Sequence, residues 1–135
     1  MATITEDYVS SEIAELLKEK GFEEECVYFY DWDEEDEIYR ICSNGGSCNS
    51  KEYPTYFSMP TLQMAMKWLR EKHNLFIQVT IVPHTTITME QKYYLFSIHK
   101  DRRRLRRDDV PINYYNTYEE ACEAAIKYCL ENLFE

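Results

Sequence analysis

Leu75-Phe-Ile-Gln-Val-Thr-Ile-Val82 is the stretch on which the fold turns. Leu75, Ile77, Val79 and Ile81 alternate with Phe76, Gln78 and Thr80, so one face of the segment is wholly aliphatic. A period of two sustained over this length predicts a half-buried β-strand. Tyr93-Tyr-Leu-Phe-Ser-Ile-His99 repeats the pattern, with Tyr94, Phe96 and Ile98 on one side, and a loop starting at Pro83 joins the two runs. Strands so close in sequence pair antiparallel, because a parallel pair needs a longer crossover.

Upstream, Pro60-Thr61 opens a helix that runs to about residue 72, with Leu62, Ala65, Met66 and Leu69 as its core stripe. Met64 and Trp68 lie on a different flank, either filled by a neighbouring element or left as a stripe for a partner. A weaker pair of strands precedes it, Cys26-Val-Tyr-Phe-Tyr30 and Ile38-Tyr-Arg-Ile-Cys42, rich in aromatic and β-branched residues. Asp31-Trp-Asp-Glu-Glu-Asp-Glu37 joins them as a hairpin loop with six acids, and a polar stretch from Asn44 to about residue 58 follows. The first helix is capped by Ser10 or Ser11, buries Val9, Ile13, Leu16 and Leu17, and ends at Gly21 with Phe22 folding back. Residues 100–109 form a charged connection to an irregular stretch around Pro111. Thr117-Tyr-Glu-Glu120 is a capping box opening the last helix, whose inward stripe is Tyr118, Ala121, Cys122, Ala125, Cys129 and Leu133.

The order α-β-β-α-β-β-α predicts a single α+β domain over residues 1–135, with one four-stranded antiparallel sheet and its helices packed on one face. That order of elements resembles the LAGLIDADG homing endonucleases, whose name-giving acidic helix ends are absent, so the likeness implies no activity.

Fifteen Lys and Arg against 25 Asp and Glu leave a net charge of −10, which disfavours generic binding to nucleic acid or to an anionic membrane. No apolar run reaches the roughly 18 residues of a spanning helix. Acids in the first dozen residues, where a signal peptide is basic and then apolar, predict a cytoplasmic protein. The five cysteines are then reduced thiols; with no Cys-x-x-Cys and no His at ligand spacing, neither a metal nor another cofactor is expected.

Three stretches carry a family resemblance. They are Tyr8-Val-Ser-Ser-Glu-Ile-Ala-Glu-Leu-Leu-Lys-Glu-Lys-Gly-Phe22, Pro60-Thr-Leu-Gln-Met-Ala-Met-Lys-Trp-Leu-Arg-Glu71 and Tyr118-Glu-Glu-Ala-Cys-Glu-Ala-Ala-Ile-Lys-Tyr-Cys-Leu-Glu-Asn-Leu133. Together they resemble small uncharacterised proteins of gut bacterial and prophage genomes. The resemblance implies a bacterial or phage setting and no catalytic role.

Two surfaces stand out as candidate sites. If Val27, Phe29 and Ile41 face the helices, then Tyr28, Tyr30, Arg40, Phe76 and Tyr93 face outward as an aromatic sheet surface. Such a face suits a homodimer or the stacking of RNA bases, and the net charge favours the dimer. Met64 and Trp68 form a second candidate contact. Lys100, Arg102, Arg103, Arg104, Arg106 and Arg107 concentrate positive charge in one run; removing residues 100–109 leaves nine bases and 22 acids. That run serves as a solvated connection, as a nucleic-acid or phosphate contact, or as a partner for the acidic loop. His84-Thr-Thr86 matches half of a two-histidine phosphoesterase signature, and His99-Lys-Asp101 does not supply the other half. The residues thus point to a small non-enzymatic binding protein that forms homo-oligomers, with the basic run and His84 as rival readings.

Overall fold

A computed structural model describes residues 4–46, 48–82, 93–101, 103–105 and 113–134. The chain runs α1 (Ser11–Glu19), β1 (Cys26–Asp33), β2 (Ile38–Gly46), β3 (Tyr56–Ser58), α2 (Leu62–His73), β4 (Leu75–Val82), β5 (Tyr93–Lys100), β6 (Arg103–Arg104) and α3 (Tyr118–Asn132).

Local chemistry sets the helix ends. The Ser10 hydroxyl accepts from the Ile13 amide at 3.3 Å, starting α1. Past its end Gly21, at φ 94°, lets the amides of Gly21 and Phe22 return to the carbonyls of Lys18 and Leu17. That paired return is a Schellman motif, and a side chain at Gly21 would strain it. Thr61 caps α2 by accepting from the Met64 amide at 3.1 Å, and Asn74 closes it in the left-handed conformation. Thr117 accepts from the Glu120 amide at 3.0 Å, while the Glu120 carboxylate reaches the Asn116 amide, one residue earlier than a standard capping box.

The fold is α+β, but its strands form two separate three-stranded antiparallel sheets, ordered β2-β1-β3 and β4-β5-β6. In place of the expected single four-stranded sheet, each hairpin carries a short return strand on one of its edges. Tyr56–Ser58 takes the second edge of β1, and Arg103–Arg104 takes the far edge of β5. The helices are likewise divided: α2 and α3 pack on the second sheet, while α1 lies against α3 and β3. Backbone bonds from Val9 to Pro60 and from Leu62 to Asp7 tie the segment before α1 to the start of α2.

One contiguous core joins all of this, built from Val9, Ile13, Leu17, Phe22, Leu69, Leu75, Ile98, Ile126 and Leu130 with their neighbours. In the second sheet Leu75, Phe96 and Ile98 are buried and Ile77 and Val79 half-buried, as the alternation predicts. Burial falls along β4, however, and Ile81 is 57% exposed.

In the first sheet the expected facing is reversed. Tyr30 is buried and Tyr28 packs against the core, whereas Val27 is 67% exposed. Aromatic rings bury more area than Val or Ile, and the Tyr30 hydroxyl finds a partner inside, donating to the Val9 carbonyl at 2.6 Å. Ile41 lies opposite Tyr30 but on the outlying strand β2, and it too is exposed. Phe29 is buried on the opposite side, its ring 4.7 Å from that of Tyr56.

Candidate functional site

The five residues expected to share one outward face are dispersed. Tyr28 and Tyr30 belong to the core side of the first sheet, so they are not available as a surface. Arg40 sits on β2 and is engaged by Asp33 at 3.2 Å and Asp36 at 2.9 Å. Amides of the 34–37 turn and this guanidinium hold the Asp33 carboxyl below its ordinary range, the Asp36 amide contributing most. Tyr93 is half-buried at the start of β5, with its ring 6.2 Å from that of Tyr114. Phe76, 40% exposed on the outer face of the second sheet, and Arg40, exposed on β2, do stand outward as expected, but on different sheets.

The helix flank is corrected in the same way. Trp68 is only 6% exposed, with its ring 5.3 Å from Phe22, 4.5 Å from His73 and 6.0 Å from Phe134. Met64 remains exposed at the edge of an open groove of about 650 Å³, whose other walls include Glu23, Glu24, Glu25 and Glu71.

The basic run is partly folded rather than a plain wet connection. Lys100 ends β5 and donates to the Leu133 carbonyl at 3.5 Å, where a cation suits the C-terminal end of α3. Arg103 and Arg104 form β6, opposite Lys100 and His99 respectively. Arg102, Arg106 and Arg107 lie outside the described residues, as does His84. Among the described residues, the ion pairs of the acidic turn go to Arg40, not to this run.

The buried thiols are poor nucleophiles. Cys26, Cys48, Cys122 and Cys129 are buried, and no disulfide joins them. Burial, with Cys48 and Glu24 nearby, pushes Cys26 up to about 11, and burial alone pushes Cys129 up to about 12. At neutral pH both stay protonated, and the thiol is not the reactive form. Among the described residues no group of three His, Cys, Asp or Glu could hold a metal ion, and no helix is long and apolar enough to cross a membrane.

What the structure brings together lies on the second sheet. The registers Phe76 to His99 and His99 to Arg104 set an aromatic ring, an imidazole and a guanidinium in one cross-strand row. Residues directly opposite in antiparallel pairs share a face, so the row lies on the solvent side with Phe76. Gln78 and Ser97, then Thr80 and Leu95, form the next rows. The alternation of β4 put Phe76 outward, but the row required the hairpin register and the existence of β6, neither of which the periodicity contains. Among the described residues, the outer strand of this sheet, β4, pairs with β5 alone. Comparison with protein-family models, with curated proteins and with solved structures gave no match.

Proposed function

We propose that this chain is a non-enzymatic binding protein that acts as a homo-oligomer. One observation carries the reading: the large apolar side chains exposed on strands, Val27, Ile38, Ile41, Phe76 and Ile81, all lie on β1, β2 and β4, while four of the five thiols are buried. Scattered exposed apolar residues are ordinary, but four of these five sit on the outlying strands β2 and β4, where a second chain can pair. Light scattering at micromolar concentration tests it. The expected result is a mass at least double the 16.3 kDa of one chain; a strict monomer overturns it.

The row of Phe76, His99 and Arg104 supports a second reading, a nucleic-acid or phosphate contact. A base stacks on a ring and a phosphate pairs with a guanidinium, whereas the net charge of −10 works against a long polyanion. Binding of a single-stranded oligonucleotide that weakens steeply with salt, with a shallower slope in Arg104→Ala, is its expected signature. No binding at low salt removes it.

A further inference from the structure

We infer that a second copy of this chain adds to the outer edge of β4, antiparallel to it, so that the two second sheets become one continuous sheet. The inference rests on the self-association proposed above and specifies the surface that performs it.

The argument starts from how sheet edges are protected. An edge strand presents unsatisfied amides and carbonyls to any passing strand, and proteins blunt such edges with short strands, charges, prolines or bulges. Among the described residues the two sheets have four edges. Two are short: β3 has three residues and β6 has two. The third, β2, carries Arg40, ends beside the acidic turn and is distorted by a register shift opposite Cys26 and Tyr28. The fourth, β4, has eight residues and none of these devices: Leu75-Phe-Ile-Gln-Val-Thr-Ile-Val82 contains no charge and no proline. In a chain that is 30% charged, an unguarded edge of this length is the exception.

The pattern of β4 matches a second copy of itself. In a continuous sheet, two copies related by a two-fold axis set odd residues against odd and even against even. The axis lies at Gln78, which sets Gln78 against its own copy and Ile81 of one copy against Leu75 of the other. Ile81, the exposed end of the inner aliphatic row, thereby gains an aliphatic neighbour from that row. The charge at the edge itself does not oppose this partner. Copies carrying −10 each repel, yet the strand itself is neutral, and the basic corner of Lys100, Arg103 and Arg104 lies at its Leu75 end. Antiparallel pairing holds the two corners a strand length apart, about 25 Å, which is beyond two Debye lengths at physiological salt.

The test is a charge swap at Gln78, whose exposed side chain leaves folding undisturbed. In sedimentation equilibrium the wild type is expected to dimerise. Gln78→Lys and Gln78→Glu, each alone, are expected to weaken the dimer by at least about tenfold through like charges facing across the axis. An equimolar mixture of the two is expected to restore it, while Ile41→Lys on the β2 edge leaves it unchanged. Restoration in the mixture is specific to a second copy at this strand. A dimer that persists in Gln78→Lys overturns the edge while leaving self-association standing. A wild type that stays monomeric overturns both the edge and self-association.

Discussion

In the first sheet the outlying strand β2 is hemmed in: Arg40 is clamped by Asp33 and Asp36, an acidic turn caps one end, and a bulge skews the other. In the second sheet the outlying strand β4 runs straight along β5, uncharged from Leu75 to Val82. The sheets also differ in what holds them to the core. The second buries an aliphatic and aromatic row, Leu75, Phe96 and Ile98, under α2 and α3. The first is anchored by rings, with Tyr30 buried and Tyr28, Tyr39 and Phe57 packed against the core, while its aliphatic residues Val27 and Ile41 stay outside. The contrast teaches that an alternating pattern gives two faces without labelling them. Which one is buried depends on what the competing face can bury and satisfy.

The largest effect that could break this contrast is a cavity under the second sheet. Ile98 is 1% exposed, and Ile98→Ala is expected to cost about 2–5 kcal/mol in urea unfolding. Val27→Ala, in the first sheet, is expected to stay within about 0.5 kcal/mol. Equal losses at the two positions would mean that the facing of the first sheet is not as described. Next comes the hydroxyl that ties the first sheet to the segment before α1. Tyr30→Phe removes its bond to the Val9 carbonyl and is expected to cost about 1–2 kcal/mol by the same measurement.

Several features of this fold are legible in the residues. Gly21 followed by Phe22, Thr61 after Pro60, and Thr117 with Glu120 each name a helix end by hydrogen-bonding chemistry, and all three ends lie where that chemistry puts them. The start of β4, its end at Val82 and the outward direction of Phe76 follow from the period of two. Other features are hidden for physical reasons. Tyr56–Ser58 is too short to show a period and sits among polar residues, so β3 reads as loop. Arg103–Arg104 reads as a solvated charge run because its pairing to His99 and Lys100 is a matter of tertiary position. Without those two return strands, a single sheet is the simplest arrangement of two hairpins. Trp68 is ambiguous for a related reason: only the arrival of Phe22 and Phe134 decides that its flank is covered. Ile126 and Leu130 were absent from the expected stripe of α3, and both are buried because α3 touches α1, α2 and the second sheet at once.

A smaller effect concerns the helix that bridges the sheets' supports. Thr117→Ala removes the cap of α3 and is expected to cost about 1 kcal/mol, read as a lower urea midpoint with an unchanged slope. The smallest is a pH effect at the α2 end. Burial lowers the pKa of His73 from its ordinary 6.5, so the unfolded chain binds its proton more readily than the folded one. Stability is therefore fully present above pH 6.5 and declines as pH falls from there through the lowered folded value. His73→Gln is expected to flatten the thermal midpoint in that window; an unchanged pH profile would show that the ring is not held neutral beside Trp68 and Phe134.

The central difference between the two edges is measured most directly by hydrogen exchange at two protein concentrations, one far below and one far above the association midpoint. The account predicts that amides of β4 gain protection at the higher concentration while those of β2 exchange equally at both. Concentration-dependent protection on β2 with none on β4 would contradict it.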